Sequence, residues 1–118
     1  MSTRCNIHFT YNGEISANIY RHPDGYPDGE HGVPASLARF FDELERQTPD
    51  TRYGDPEYLA AKFLVWQAGE FARDSDKPLD FLSVSPCVQD HGDIEWVYTV
   101  ETQNRDDKGR PTVTWEAV

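Results

Sequence analysis

The chain has 118 residues, a formal net charge of −10 and a sequence pI of about 4.6. That length accommodates one domain around one core, large enough to fold without a disulfide or metal staple. The acidic balance argues against direct nucleic-acid binding, which depends on Lys and Arg neutralising phosphates, and against anionic membrane surfaces.

Hydrophobic residues make up 37% of the chain, and they are clustered and periodic, which separates it from disordered sequences. The N-terminal stretch MSTRCNIHFTYNGE has no apolar h-region, and no apolar run approaches a membrane span. These features point to a cytoplasmic protein. Cys5 and Cys87 are far apart and have no C-x-x-C or Cys/His spacing around them, so they are expected to be reduced thiols packed on strands.

In chain order, Cys5, Ile7, Phe9 and Tyr11 alternate with polar neighbours, as on a strand with one buried face. Asn12-Gly13 is a strong hairpin signal, and Ile15, Ala17 and Ile19 form the return strand. Leu37, Phe40, Phe41 and Leu44 then fall at i, i+3, i+4, i+7 of a first helix. Asp55-Pro56 opens a second, as N-cap and first helical residue. Its broad stripe of Leu59, Ala60, Phe63, Leu64, Trp66 and Phe71 predicts the more buried of the two helices. Three strands follow. In DFLSVSPCVQ, Leu82 and Val84 alternate and Pro86 marks an edge or bulge. In IEWVYTVE, Ile94, Trp96, Tyr98 and Val100 share a face. After the polar turn NRDDKGR, PTVTWEAV places Val113, Trp115 and Ala117 in register. The order ββααβββ predicts a single α+β domain over 1–118, with a mainly antiparallel sheet and two helices packed on one face. The pattern leaves strand order and oligomeric state open.

Between the hairpin and the first helix lies YRHPDGYPDGEHG, residues 20–32. Pro23-Asp24-Gly25 and Pro27-Asp28-Gly29 are tandem turn units: proline presets φ, aspartate bonds nearby amides and glycine accepts positive φ. Two such turns predict a compact, rigid loop. The stretch resembles the Tyr-Arg-His-x-Asp-Gly-Tyr-Pro signature of a group of small uncharacterised bacterial and phage proteins, on Tyr20, Arg21, His22, Asp24, Gly25, Tyr26 and Pro27. Pro23 takes the variable position, and the later HGDIEWVYTVE fits the same group. The resemblance implies a shared fold and carries no mechanism.

Tyr20, Arg21, His22, Asp24, Tyr26, Asp28 and His31 therefore form the candidate binding surface. His22, Asp24 and His31, with Asp28 and Glu30, are chemically able to ligate zinc, manganese or iron, but no recognised metal motif is present. Arg21, His22 and Asp24 could instead orient a substrate, with His22 as general base, yet no nucleophile, P-loop or dinucleotide motif accompanies them. Without those motifs the loop is expected to be structural: the imidazoles bond carbonyls, Arg21 pairs with a loop carboxylate, and the tyrosines lie over the core. Asp74, Asp76, Asp80, Asp90, Asp93, Asp106 and Asp107 could imitate a phosphate ladder, or simply mark turns. His8 is expected on an exposed outer face, and His91 in a turn. The sequence favours a non-enzymatic binding or regulatory module, phage-related by resemblance, that requires no cofactor and meets a protein partner, preferably a basic one. The alternatives are a small metal- or histidine-dependent enzyme of hydrolase type using the 20–32 loop, and an acidic DNA mimic that inhibits a nucleic-acid-binding protein.

Overall fold

The computed structural model describes residues 3–118. β1 (Cys5–Tyr11) and β2 (Glu14–Arg21) form an antiparallel hairpin. Its turn places Asn12 at φ 52° and Gly13 at φ 81°, the left-handed pair that the Asn-Gly dipeptide supplies. α1 (Val33–Gln47) and α2 (Pro56–Phe71) follow, and the Asp55 side chain caps α2 by accepting from the Tyr58 amide at 3.1 Å. A single 3-10 turn, Pro78–Phe81, leads into β3 (Leu82–Ser85); β4 (Trp96–Arg105) and β5 (Pro111–Ala117) complete the fold.

The five strands make one mixed sheet in the order β3-β2-β1-β4-β5. Neighbours pair antiparallel except β1 with β4, which run parallel from Cys5↔Trp96 to Thr10↔Glu101. After β3, at one edge, the chain must cross to the far side of β1. The segment 86–95 makes that crossing over the sheet face opposite the core.

The core is built from Cys5, Ile7 and Phe9 of β1, Ile19 of β2, and Tyr98 and Val100 of β4, together with Val33, Leu37, Phe40, Phe41 and Leu44 of α1 and Leu59, Ala60 and Phe63 of α2. Aromatic edges organise it: Phe40 meets Phe63 at 5.5 Å and 82°, and Phe41 meets Tyr53 at 5.4 Å and 86°. Each such pair contributes roughly 0.5–1.5 kcal/mol beyond the area it buries. Arg110, where the last turn enters β5, reaches α1 through Glu45 at 2.9 Å and Asp42 at 2.5 Å, tying the sheet's far edge to that helix.

Several sequence expectations are corrected by this packing. α2 is not the more buried helix. Its apolar stripe is wider than one contact face can cover, so Leu64, Trp66 and Phe71 are only half-buried, whereas Leu37, Phe40, Phe41 and Leu44 of α1 are all buried. Val84 does not share the burial of Leu82: the strand there is an edge, and Val84 is 69% exposed. β4 begins at Trp96 rather than Ile94 and continues through Gln103-Asn104-Arg105, so the turn before β5 is shorter than the polar run implied. Trp115 packs beside Tyr98, at 6.1 Å between ring centroids, but stays 45% exposed. Cys87 is exposed and lies beyond β3, not packed on a strand; Cys5 alone is buried. Among the described residues no helix is long and apolar enough to cross a membrane.

Candidate functional site: a cleft beneath the loop 22–32

Arg21 is the last residue of β2, and alternation along that strand turns its side chain toward the helices. It is 1% exposed. The guanidinium does not pair with a carboxylate, contrary to the structural expectation. Nε donates to Pro23 O at 2.9 Å and Nη2 to His31 O at 2.7 Å, bridging the two ends of the loop. Nη1 donates to Ser36 Oγ of α1 at 3.1 Å and to Gln67 Oε1 of α2 at 3.2 Å. Four of an arginine's five N–H groups are thus used on neutral acceptors. Burial lowers its pKa, opposed by the nearby Cys5, Asp24 and Glu70 groups. Compensation for the charge is indirect. Gln67 Nε2 donates to Glu70 Oε1 at 3.1 Å, and Glu70 holds Arg39 with two 2.9 Å contacts. Burial pushes the Glu70 carboxyl up, but the bonds from Arg39 and Gln67 outweigh it and leave the pKa below the usual range.

The loop that Arg21 spans is rigid for further reasons. In the first turn unit the left-handed residue is Asp24, at φ 55°, and not Gly25. Gly25 is required for close approach: a Cβ there would meet Thr3 O at 2.8 Å and Cys5 Cβ at 3.0 Å. Its amide donates to Thr3 O at 2.8 Å, and its carbonyl accepts from the buried Tyr98 hydroxyl at 2.8 Å. In the second unit Gly29 does take positive φ, at 80°. Tyr26 does not lie over the core. Its hydroxyl donates to Asp24 Oδ1 at 3.0 Å, and its carbonyl accepts the Val33 amide at 3.1 Å.

A cleft of 530 Å³ opens between this loop and the C-terminal end of α2. Arg21, Phe71 and Phe81 line it together with Arg39, Arg73 and His31, and with the carboxylates of Asp24, Glu30, Glu70 and Asp74. The Phe71 and Phe81 rings meet edge to face at 5.2 Å and supply an apolar wall. The candidate residues therefore divide. Arg21, Asp24 and His31 line the cleft; Asp28 stands exposed outside it. Tyr20 and His22 lie elsewhere, with ring centroids 6.3 Å apart, and Tyr20 stacks on His91 at 3.8 Å. Among the described residues no three His, Cys, Asp or Glu side chains converge as a metal ion would require, so His22, Asp24 and His31 are not brought together as ligands. The His31 imidazole contacts Glu30, at 3.5 Å on the surface. The Cys5 thiol is no nucleophile: burial pushes its pKa up to about 12.

The outer sheet face holds a second polar constellation that strand alternation had assigned to solvent. His8 is not exposed there. Its side chain is 14% exposed and contacts Asp90 Oδ1 at 2.7 Å. Asn6 and Asn18, both buried, bond each other at 2.9 Å; Asn18 also donates to Asp90 at 2.9 Å, and Asn6 to Ser85 Oγ at 3.0 Å. Ser85 Oγ meets His91 Nδ1 at 3.0 Å, and the Tyr20 hydroxyl donates to Asp93 at 3.0 Å. This network fastens the crossing segment 86–95 to the sheet. Asp90 and Asp93 serve it, and Asp106 caps the last turn by accepting from the Lys108 and Arg110 amides. Three of the seven aspartates of the supposed ladder thus hold turns.

Ser36 and Gln67 carried the one available signal for Arg21's partners, as polar residues within otherwise apolar helix stripes. No family model, curated protein or solved structure matches this chain.

Proposed function

We propose that the protein is a non-enzymatic binding module whose recognition site is the cleft beneath the loop 22–32, and that it receives a basic side chain from a partner protein. The observation that carries this reading is the arrangement of Arg21. Four of its N–H groups join both loop ends to both helices, so the cleft is preformed and costs little ordering on binding. Glu70 is already committed to Arg39 and Gln67, while Asp74 and Glu30 stand at the exposed mouth beside Asp24. A lysine or arginine entering along the Phe71–Phe81 wall would meet those carboxylates, and the net charge of −10 would steer it there.

The test uses immobilised protein and host lysate, comparing wild type with Asp74→Lys in the cleft and Glu116→Lys on β5. One stoichiometric protein retained by wild type and Glu116→Lys, and lost with Asp74→Lys, supports the proposal. Retention indifferent to Asp74→Lys refutes it.

A further inference from the structure

The four hydrogen bonds of Arg21 leave one donor over. Nη2 carries two N–H groups, and only one of them has an acceptor, the His31 carbonyl. The side chain is 1% exposed, yet it lines the cleft. Among the described residues no carboxylate pairs with this buried cation. Both oxygens of Glu70 are taken by Arg39 and Gln67, and Asp24 accepts the Tyr26 hydroxyl at 3.0 Å. A desolvated charge without a counter-ion is costly, and one that lines a cleft can be neutralised by a ligand. A second cation stands at the same cleft. Arg73 is exposed there and, among the described residues, makes no side-chain hydrogen bond or ion pair. The Phe71 ring, 5.3 Å from the Arg21 guanidinium, and the Phe81 ring set against it keep this corner apolar, which strengthens any charge-assisted bond made in it.

We infer that the cleft takes the α-carboxylate of a partner's C-terminal residue on Arg21 and Arg73, and that the side chain of this same residue is the lysine or arginine that meets Asp74 and Glu30. The inference rests on the basic-side-chain reading above and adds where in the partner that side chain stands. Two observations select a chain end. The lining is dipolar: with Arg39 and Glu70 spent on each other, Arg21 and Arg73 remain against Asp24, Glu30 and Asp74. A basic residue with a free carboxylate presents both charges from one Cα, whereas an internal basic residue presents only one. The floor is also closed. Arg21 joins Pro23 and His31 of the loop to Ser36 of α1 and Gln67 of α2, so a chain entering from the mouth must stop there. The volume of 530 Å³ lies in the range of pockets that enclose small ligands, enough for the end of a peptide. Capture of a terminal carboxylate is a recurrent mode of peptide recognition.

Isothermal titration calorimetry of the full chain tests this with three peptides. They are acetyl-Ser-Gly-Ser-Lys as the free acid, the same peptide as its C-terminal amide, and the free acid with glutamine in place of lysine. The lysine acid should bind about tenfold or more tighter than the amide, because the charged contacts to Arg21 and Arg73 go with the carboxylate. Arg73→Gln, at an exposed position, should weaken the acid and leave the amide unchanged. In protein labelled at the arginine nitrogens, the Arg21 guanidinium resonances should move with the acid and stay in place with the amide. Acid and amide bound equally, with the glutamine peptide weaker, would overturn the inference and leave the basic-side-chain reading standing. Lysine and glutamine acids bound equally would overturn that reading and the inference with it. Free lysine bound as tightly as the peptide would refute a chain end, and no binding of the lysine acid at about 1 mM would overturn the inference outright.

Discussion

Replacing Arg21 by methionine tests the central structural claim. The substitution keeps a long apolar stem and removes every donor. Gln67 Oε1, in a fully buried residue, then loses its guanidinium partner, at about 1–3 kcal/mol, and Ser36 Oγ keeps only the longer 3.4 Å bond from Arg39, at a smaller cost. The Pro23 and His31 carbonyls lie nearer solvent, where water entering the cleft can replace the lost bonds at smaller cost. Against these losses stands the relief of a desolvated guanidinium that has no direct carboxylate partner, which removes part of the penalty. The balance is a destabilisation of about 2–4 kcal/mol. A domain of this length has roughly 6–18 kcal/mol in hand, at about 0.05–0.15 kcal/mol per residue, so the variant should still fold. Urea denaturation should show a lower midpoint at unchanged slope, and limited proteolysis should open the loop 22–32 before the rest of the chain. Arg21→Lys, with three donors in another geometry, should fall between wild type and Arg21→Met. A Met variant within about 1 kcal/mol of wild type would mean that desolvation cancels the four bonds and that the loop is held by other contacts.

Two further outcomes are expected. Gly25→Val should destabilise by about 2–4 kcal/mol, because its Cβ meets the Thr3 carbonyl and Cys5 and the backbone cannot yield without straining the Thr3 and Tyr98 hydrogen bonds; thermal melting measures it, and an unchanged midpoint would refute the close-approach argument. For acid, hydrogen bonds from Arg110 and Tyr53 lower the Glu45 carboxyl from its ordinary 4.5 to about 2. Asp90, which burial pushes up, is nevertheless held below its usual value by His8 and Asn18. A depressed folded-state pKa stabilises above the unfolded value and loses that contribution as pH falls through the folded one. Stability measured by urea titration should therefore decline as pH falls between about pH 4.5 and about 2, and Arg110→Ala should flatten that decline.

Local physics made much of this molecule legible before its fold was known. The Asn12-Gly13 hairpin, the Asp55-Pro56 helix start and the two helix stripes follow from φ preferences, capping and periodicity, which act over a few residues. The tight turns of the loop were equally readable, although the reason assigned to Gly25 was wrong. Its need is for space, which depends on Thr3 and Cys5 twenty residues earlier. The candidate surface was half readable. Arg21, Pro23, Asp24, Glu30 and His31 line the cleft, yet Tyr20 and Arg21 occupy opposite faces of the sheet because a strand alternates, so the seven candidates separate.

By itself the sequence determined the order of the two helices and five strands, and hence an α+β fold. Only tertiary structure decided that β4 lies parallel to β1, and this has a physical consequence. The chain must then cross the open face of the sheet, so polar positions that a lone strand would give to water are buried under segment 86–95. The same holds for Arg21: its four neutral acceptors come from residues two to forty-six positions away, and Ser36 of α1 and Gln67 of α2 reach it only when the helices pack.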